Sequence, residues 1–441
     1  MKTSFSEYSS TALLCLALLF SLDVMAFSPK HPGSLKSKPA TGINNNFKSN
    51  TKKSLLGKPD TFTNRILTAH AGSLTPAMHD HAKGVIWFNV KKSKSADASD
   101  QALRLVERLL EEQEITGDTD ILSMGQVVNV LTACRRNSVE SGTLSRLTKV
   151  MHMLERSTIW DDSVLPHFVG ALANCKAMNA PKSAEHVLIR MQKRGIIPNE
   201  RHFGTVLSSY AKRGKVKEVE MLMNIMSDLH ASGQLEQGPT RITMTTALYA
   251  LSRSGEKNAP GRAQALVKKM EVAHADGNRD MKPDIIAYSN LLNCFTSHKM
   301  TKDAEELLLK VESLYDDGFL QKGPDTIFYS SVLNAIAQSC DDDAFQRAEA
   351  LLHRMECRGV RPNIITYNSL VKCFLNQASP SYEQMKDLVQ KVQYLYESGQ
   401  LKGTPDNMQR FYRSMMSAFV KSDAGKETDA MGLWTRSTIY S

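Results

Sequence analysis

The sequence predicts an all-α protein: a solenoid of helix-turn-helix units, preceded by a leader that cannot bury a core. Three observations predict it. A Pro followed by Asn, Asp or Thr recurs at Pro198, Pro239, Pro283, Pro324, Pro362 and Pro405, with spacings of 41, 44, 41, 38 and 43 residues. A Gly stands just ahead of each, at Gly195, Gly233, Gly277, Gly318, Gly359 and Gly399. One helix therefore stops on Gly and the next starts after Pro. Between these landmarks apolar residues fall at i, i+3 and i+7, on one helical face. The sets are Leu144/Leu147/Met151, Ala184/Val187/Met191, Val219/Leu222/Met226, Ala263/Leu266/Met270, Ala304/Leu307/Val311, Ala348/Leu351/Met355 and Met385/Leu388/Val392. Neither helix of a unit can bury such a stripe alone, but stacked units share one continuous core.

Taken in order, the chain begins with residues 1–26, which read as a signal peptide. The stretch Thr11–Leu22 is apolar, and Val24 and Ala26 frame a cleavage site after Ala26. Residues 27–60 are rich in Lys, Ser, Asn and Pro and carry no acid before Asp60, a composition without a core. Residues 61–99 read as a linker, with Val85-Ile86-Trp87-Phe88 as a short strand or docking turn. The solenoid spans 100–441. It has six clear units over about 163–406, a weaker one at about 120–161, and partial caps at about 100–118 and 407–441.

Of 441 residues, 41% are hydrophobic and 23% charged, an ordinary globular balance. Net charge is +9, but the first sixty residues hold 8 Lys against Glu7, Asp23 and Asp60, which leaves +4 for the remainder. Bulk basicity is therefore no argument for a nucleic-acid partner. The cysteines form no CxxC pair, so a zinc site and a disulfide framework are both unsupported, and buried reduced thiols are expected. No apolar run is long enough for a membrane helix, and no membrane association is expected of the mature form.

The leader resembles the bipartite plastid presequence of algae with complex plastids, such as diatoms, in which the signal peptide ends before an aromatic residue. Ala26-Phe27-Ser28-Pro29 fits that junction. The resemblance implies delivery to the plastid stroma. Ordinary secretion with a flexible linker is the alternative, and mitochondrial import is disfavoured because the leader has no Arg.

The units themselves resemble pentatricopeptide repeats of the P class, found in organellar RNA-binding proteins. That family has a 35-residue unit that ends in Gly-x-x-Pro-Asp and reopens near Thr-Tyr-Asn. Ile364-Ile365-Thr366-Tyr367-Asn368-Ser369-Leu370-Val371, with the endings Gly359-Val360-Arg361-Pro362-Asn363 and Gly195-Ile196-Ile197-Pro198-Asn199, carries the likeness. No Trp-x-x-Leu-Gly-x-x-Tyr of the tetratricopeptide kind is present. The resemblance implies a right-handed α-solenoid. Four units depart from it by three extra residues before the Pro, which predicts second helices longer by about 4.5 Å.

The resemblance also implies binding of single-stranded organellar RNA, one base per unit. The second residue of each unit would sandwich a base: Ile242, Ile286, Ile327 and Ile365. The fifth residue and the unit's last would meet the base edge, pairing Thr245 with Asp284, Ser289 with Asp325, Ser330 with Asn363, and Asn368 with Asp406. The family's preferences then spell G, G, A, U from 5′ to 3′. Earlier units do not fit: Gly204 with Thr240 has no reading side chain, Arg201 replaces the aliphatic wedge, and Pro166 with Asn199 is off pattern. The unit-ending residues are also good helix N-cap types, so their polarity has a second explanation.

The implied roles are transcript stabilisation, processing or translation, with RNA-processing or ribosomal proteins as further partners. The alternative is a helical-repeat scaffold that binds proteins without reading RNA. No HExxH, Walker loop, dinucleotide fingerprint or nucleophile elbow occurs, so no enzyme, catalytic residue, cofactor or metal is expected. His79 and His81 lack further ligands, and nothing after Trp434 suggests a deaminase-like extension.

Overall fold

The computed structural model describes residues 61–92, 95–339, 341–376, 381–401 and 404–421. The expected signal peptide and transit-like segment lie outside the described residues, as does the chain from 422 onward. The described residues are helical throughout, with no strand among them, and divide into two compact units, Met1–Ala250 and Leu251–Ser441.

The first unit contains α1 (Thr61–Thr68), α2 (Pro76–Lys91), α3 (Ala96–Thr116), α4 (Met124–Asn137), α5 (Thr143–Arg156), α6 (Leu165–Ala173), α7 (Ala180–Lys193), α8 (Glu200–Ala211) and α9 (Val216–Ala231). Helix α10 (Arg241–Ser254) contains the boundary. The second unit holds α11 (Ala259–Ala275), α12 (Ile285–Ser297), α13 (Thr301–Asp316), α14 (Thr326–Ser339), α15 (Ala344–Cys357), α16 (Ile364–Asn376), α17 (Tyr382–Glu397) and α18 (Pro405–Lys421).

In the first unit α2, α4, α6 and α8 pack side by side as one layer, while α3 and α5 touch in the other. In the second, α12, α14, α16 and α18 form the corresponding layer of first helices. This is the expected α-solenoid. The methionine-rich stripes are core: Val187, Met191, Leu222, Met226, Met270, Val311, Met355 and Val392 are each at most 1% exposed. Leu266 is the exception. It is half-buried, and its neighbour Val267 takes the core position. Helices α9, α11, α13 and α17 run 16 or 17 residues against 14 for α7 and α15, so the inserted residues do lengthen the second helix. Gly195 and Gly359, at φ +77° and +73°, stop the two shorter ones in the left-handed region that a side chain disfavours.

Residues 61–99 are not a linker, and Val85–Phe88 is neither strand nor turn. Those four residues lie within α2, which buries Ala82, Val85, Ile86 and Val90 against the layer. The segment is locked down by a buried pair on α3. Arg108 meets Glu112 at 3.2 Å and donates to the carbonyls of Ala69 and His70. Glu112 accepts the backbone N–H groups of Gly72 and Leu74 at 2.8 and 2.9 Å. His81 stacks edge-on against Phe62 and meets the Thr63 hydroxyl, so it packs α1 on α2.

Second-layer helices are joined by ion pairs in one direction. An acid on the earlier helix meets a base on the following one: Glu107 with Arg146, Glu155 with Arg190, Glu271 with Lys310, Glu312 with Arg354 and Glu356 with Lys391. Two of these acids also accept from a tyrosine that opens the next unit, Tyr288 to Glu271 and Tyr329 to Glu312. Burial first, and then the adjacent carboxylate, pushes both phenols well above their ordinary range.

Of the cysteines described, Cys134, Cys175, Cys294 and Cys373 are buried free thiols, and Cys357 is exposed.

Candidate nucleic-acid interface

The first turn of α12, α14 and α16 sorts its side chains by face. Tyr288, Tyr329 and Tyr367 point inward and are at most 1% exposed, while Ile286, Ile327 and Ile365 are 42%, 72% and 55% exposed. An isoleucine that served packing would be covered. These three stand uncovered in the same register. Ile242, on α10 in the first unit, is half-buried.

Three residues on from each wedge, on the same face, come the expected edge readers. Ser289 is half-buried and donates to the Ile285 carbonyl at 2.7 Å, which leaves its lone pairs outward. Asn368 is half-buried. Ser330 is only 8% exposed, and its hydroxyl lies 2.8 Å from that of Thr366 on the next first helix. Thr245 is half-buried on α10.

The unit-ending residues are caps, as their types allow. Asp284 accepts from the Ala287 N–H at 3.0 Å and Asp325 from Phe328 N–H at 2.9 Å. Asn363 Oδ1 accepts from the N–H groups of Ile365 and Thr366 at 2.9 and 3.0 Å. Capping consumes one oxygen in each case. What remains differs in kind: a carboxylate oxygen accepts, whereas the Asn363 amide nitrogen donates. Asp406 breaks the series. Helix α18 starts one residue before it, and the side chain that accepts from Asn407 N–H is Thr404. Asp406 is exposed in the first helical turn and does not hold the cap position of Asp284, Asp325 and Asn363. The cause is Pro405, which is well suited to open a helix and so pushes the cap back by one residue.

The structure thus brings Ser330 and Asn363 together, through the Thr366 hydroxyl, 3.2 Å from Asn363 Oδ1. Thr245 and Asp284 lie in different units. Two residues on this face escaped the sequence reading: Lys372 donates to Asn334 Oδ1 at 2.9 Å, bridging α16 to α14. Each sits four residues after an edge reader, Asn368 or Ser330, and that spacing was the available signal. Among the described residues no group of three or more His, Cys, Asp or Glu is placed to hold a metal ion.

Comparison with known proteins agrees with this architecture. A model described as PPR repeat matches residues 201–229 and 286–314, and one described as PPR repeat family matches 324–376. These segments carry pentatricopeptide repeats. A pentatricopeptide repeat-containing protein of Arabidopsis thaliana is 22% identical over 230 residues, covering 52% of this chain and 36% of that protein. The crystal structure of the pentatricopeptide repeat protein PPR10 from maize superposes with a TM-score of 0.50 at 16% identity, over 85% of this chain and 48% of that one. A structure of PPR10 in complex with an 18-nt psaJ RNA element gives a TM-score of 0.47 at 16% identity, over 88% and 51%. The chain therefore spans about half the length of the maize protein and about a third of the Arabidopsis one.

Proposed function

We propose that the open face of α12, α14 and α16 binds single-stranded RNA, each unit holding one base. The observation that carries this reading is the triplet of exposed isoleucines, Ile286, Ile327 and Ile365, in one register beside polar edge groups. A flat base between two such wedges removes apolar surface from water on both faces. The wedge is indifferent to sequence, so choice falls to the edge. Asp284 and Asp325 offer acceptors, which suit the ring N–H of G or U. Asn363 offers a donor, which suits the ring nitrogen of A or C. The preferences for G at Ser289 with Asp325 and for A at Ser330 with Asn363 extend to U at Asn368, without help from Asp406 in a cap position. Lys372 is placed for a phosphate.

The leader supports a plastid setting, where such a protein would mask a transcript and so stabilise it, guide its processing or open it to translation. Few readable bases make a short site, so selectivity in a transcriptome needs additional contacts or a partner.

The test is titration against single-stranded RNAs that differ at one position. Ser330→Asn with Asn363→Asp is expected to move that rung's preference from A toward U. An equal loss for every RNA would overturn base reading. Absence of any binding at low salt, with intact helical signal, would leave the protein-binding scaffold as the function.

A further inference from the structure

The buried hydroxyl of Thr366 links the two edge groups of one rung, and one arrangement of its protons satisfies every contact it makes. A threonine hydroxyl has one proton to give and two lone pairs. It accepts from the Asn363 backbone N–H at 3.1 Å and lies 3.2 Å from Asn363 Oδ1 and 2.8 Å from Ser330 Oγ. An amide oxygen has no proton, so a bond to Oδ1 uses that of Thr366, and Ser330 then donates its own proton to Thr366. The reverse arrangement, with Thr366 donating to Ser330, leaves Oδ1 to the N–H groups of Ile365 and Thr366 and makes one bond fewer. The chain of donors runs Ser330 to Thr366 to Asn363, and Thr366, at 0% exposed, has no water to reverse it.

We infer that Thr366 is a third specificity-determining residue of this rung, fixing the polarity of the pair that faces the base. This rests on the RNA reading above. With the protons so directed, Ser330 can present only lone pairs, and Asn363 only its amide N–H. Adenine and cytosine carry the complement, an exocyclic amine that donates beside a ring nitrogen that accepts. Guanine and uracil carry the reverse and meet like against like at both contacts, where each unmade bond leaves a desolvated group. In the two preceding rungs Ala287 and Phe328 occupy the position of Thr366 and have no hydroxyl. Ser289 gives its proton to the Ile285 carbonyl of its own helix, so there the preference for G falls to the Asp325 carboxylate, which has no N–H to offer.

The experiment compares the full chain with Thr366→Val, Thr366→Ser and Ser330→Ala. Titrations use RNAs carrying A, C, G or U at this rung, with thermal melts to confirm folding. Thr366→Val is expected to lower the ratio of A over G affinity roughly three- to tenfold, the worth of one hydrogen bond, with preferences at the other rungs unchanged. Thr366→Ser keeps the hydroxyl and restores the ratio. Ser330→Ala leaves the cap intact and lowers the ratio as Thr366→Val does. A wild-type preference that survives in both Thr366→Val and Ser330→Ala overturns the inference alone. A wild-type protein without base preference at any rung overturns it together with the RNA reading.

Discussion

Within the layer of first helices, α6 and α8 of the first unit are closed beyond their first turns, whereas α12, α14 and α16 of the second expose an isoleucine in theirs. In α8 every residue from Phe203 to Ala211 is buried, and α6 is buried at Leu165 and from Phe168 to Ala173. Small residues permit this closeness. The Arg135 side chain lies across α6 where a Cβ on Gly170 would stand only 2.7 Å from it. Burial first, and then the nearby Arg135, holds the imidazoles of His167 and His202 below their ordinary pKa, so both stay neutral near pH 7. In α12, α14 and α16 the second residue of the unit is an isoleucine left in solvent, where α8 has the exposed Arg201. One repeat pattern thus accommodates both a covered and an uncovered first helix.

Substitution should separate the two regions. The largest effect is expected from replacing Ile286, Ile327 and Ile365 together with Ser. At about 1 kcal/mol per wedge, RNA affinity falls roughly a hundredfold, while the melting temperature hardly moves because the side chains are exposed. Loss of stability instead of affinity would show that they are packing after all. Next in size is Arg213→Ala in the closed unit. Arg213 donates to the carbonyls of Ser209, Cys175 and Ala177, and removing it takes a donor from each, with Ala177 keeping only the Ala180 N–H. A loss of about 2 kcal/mol in denaturant unfolding is expected, with RNA affinity unchanged within about twofold. A large affinity loss would bring the closed face into binding. The smallest is Lys372→Ala, which should reduce the slope of log affinity against log salt by about 0.7, one phosphate's worth on a single strand. An unchanged slope would show that Lys372 serves only Asn334.

The repeating part of the fold was legible because its signals are redundant. Gly stops, Pro starts and apolar stripes all mark the same boundaries, so Leu266 yielding to Val267 changed nothing. Helix α2 was missed because its single copy offers no period to test. Trp87 and Phe88 beside Val85 and Ile86 also read as a continuous apolar run, although Trp87 is 57% exposed. Asp406 misled because Pro-Asp marks a cap when the helix starts after Asp, and here it starts at Pro405. Ile286, Ile327 and Ile365 do share one register, but their exposure cannot be read from type. Isoleucine suits a core and a wedge equally. The role of Thr366 was invisible for a related reason: it depends on a hydroxyl thirty-six residues away at Ser330.

The one-way clasps of the second layer, such as Glu271 to Lys310 and Glu312 to Arg354, bear on how such a chain grows. Helices α5, α13 and α15 each present a base toward their predecessor and an acid toward their successor, so a tandem copy of such a hairpin arrives with both halves of its joints already matched. Duplication lengthens the array without inventing a new junction, whereas an inverted insertion would set acid against acid.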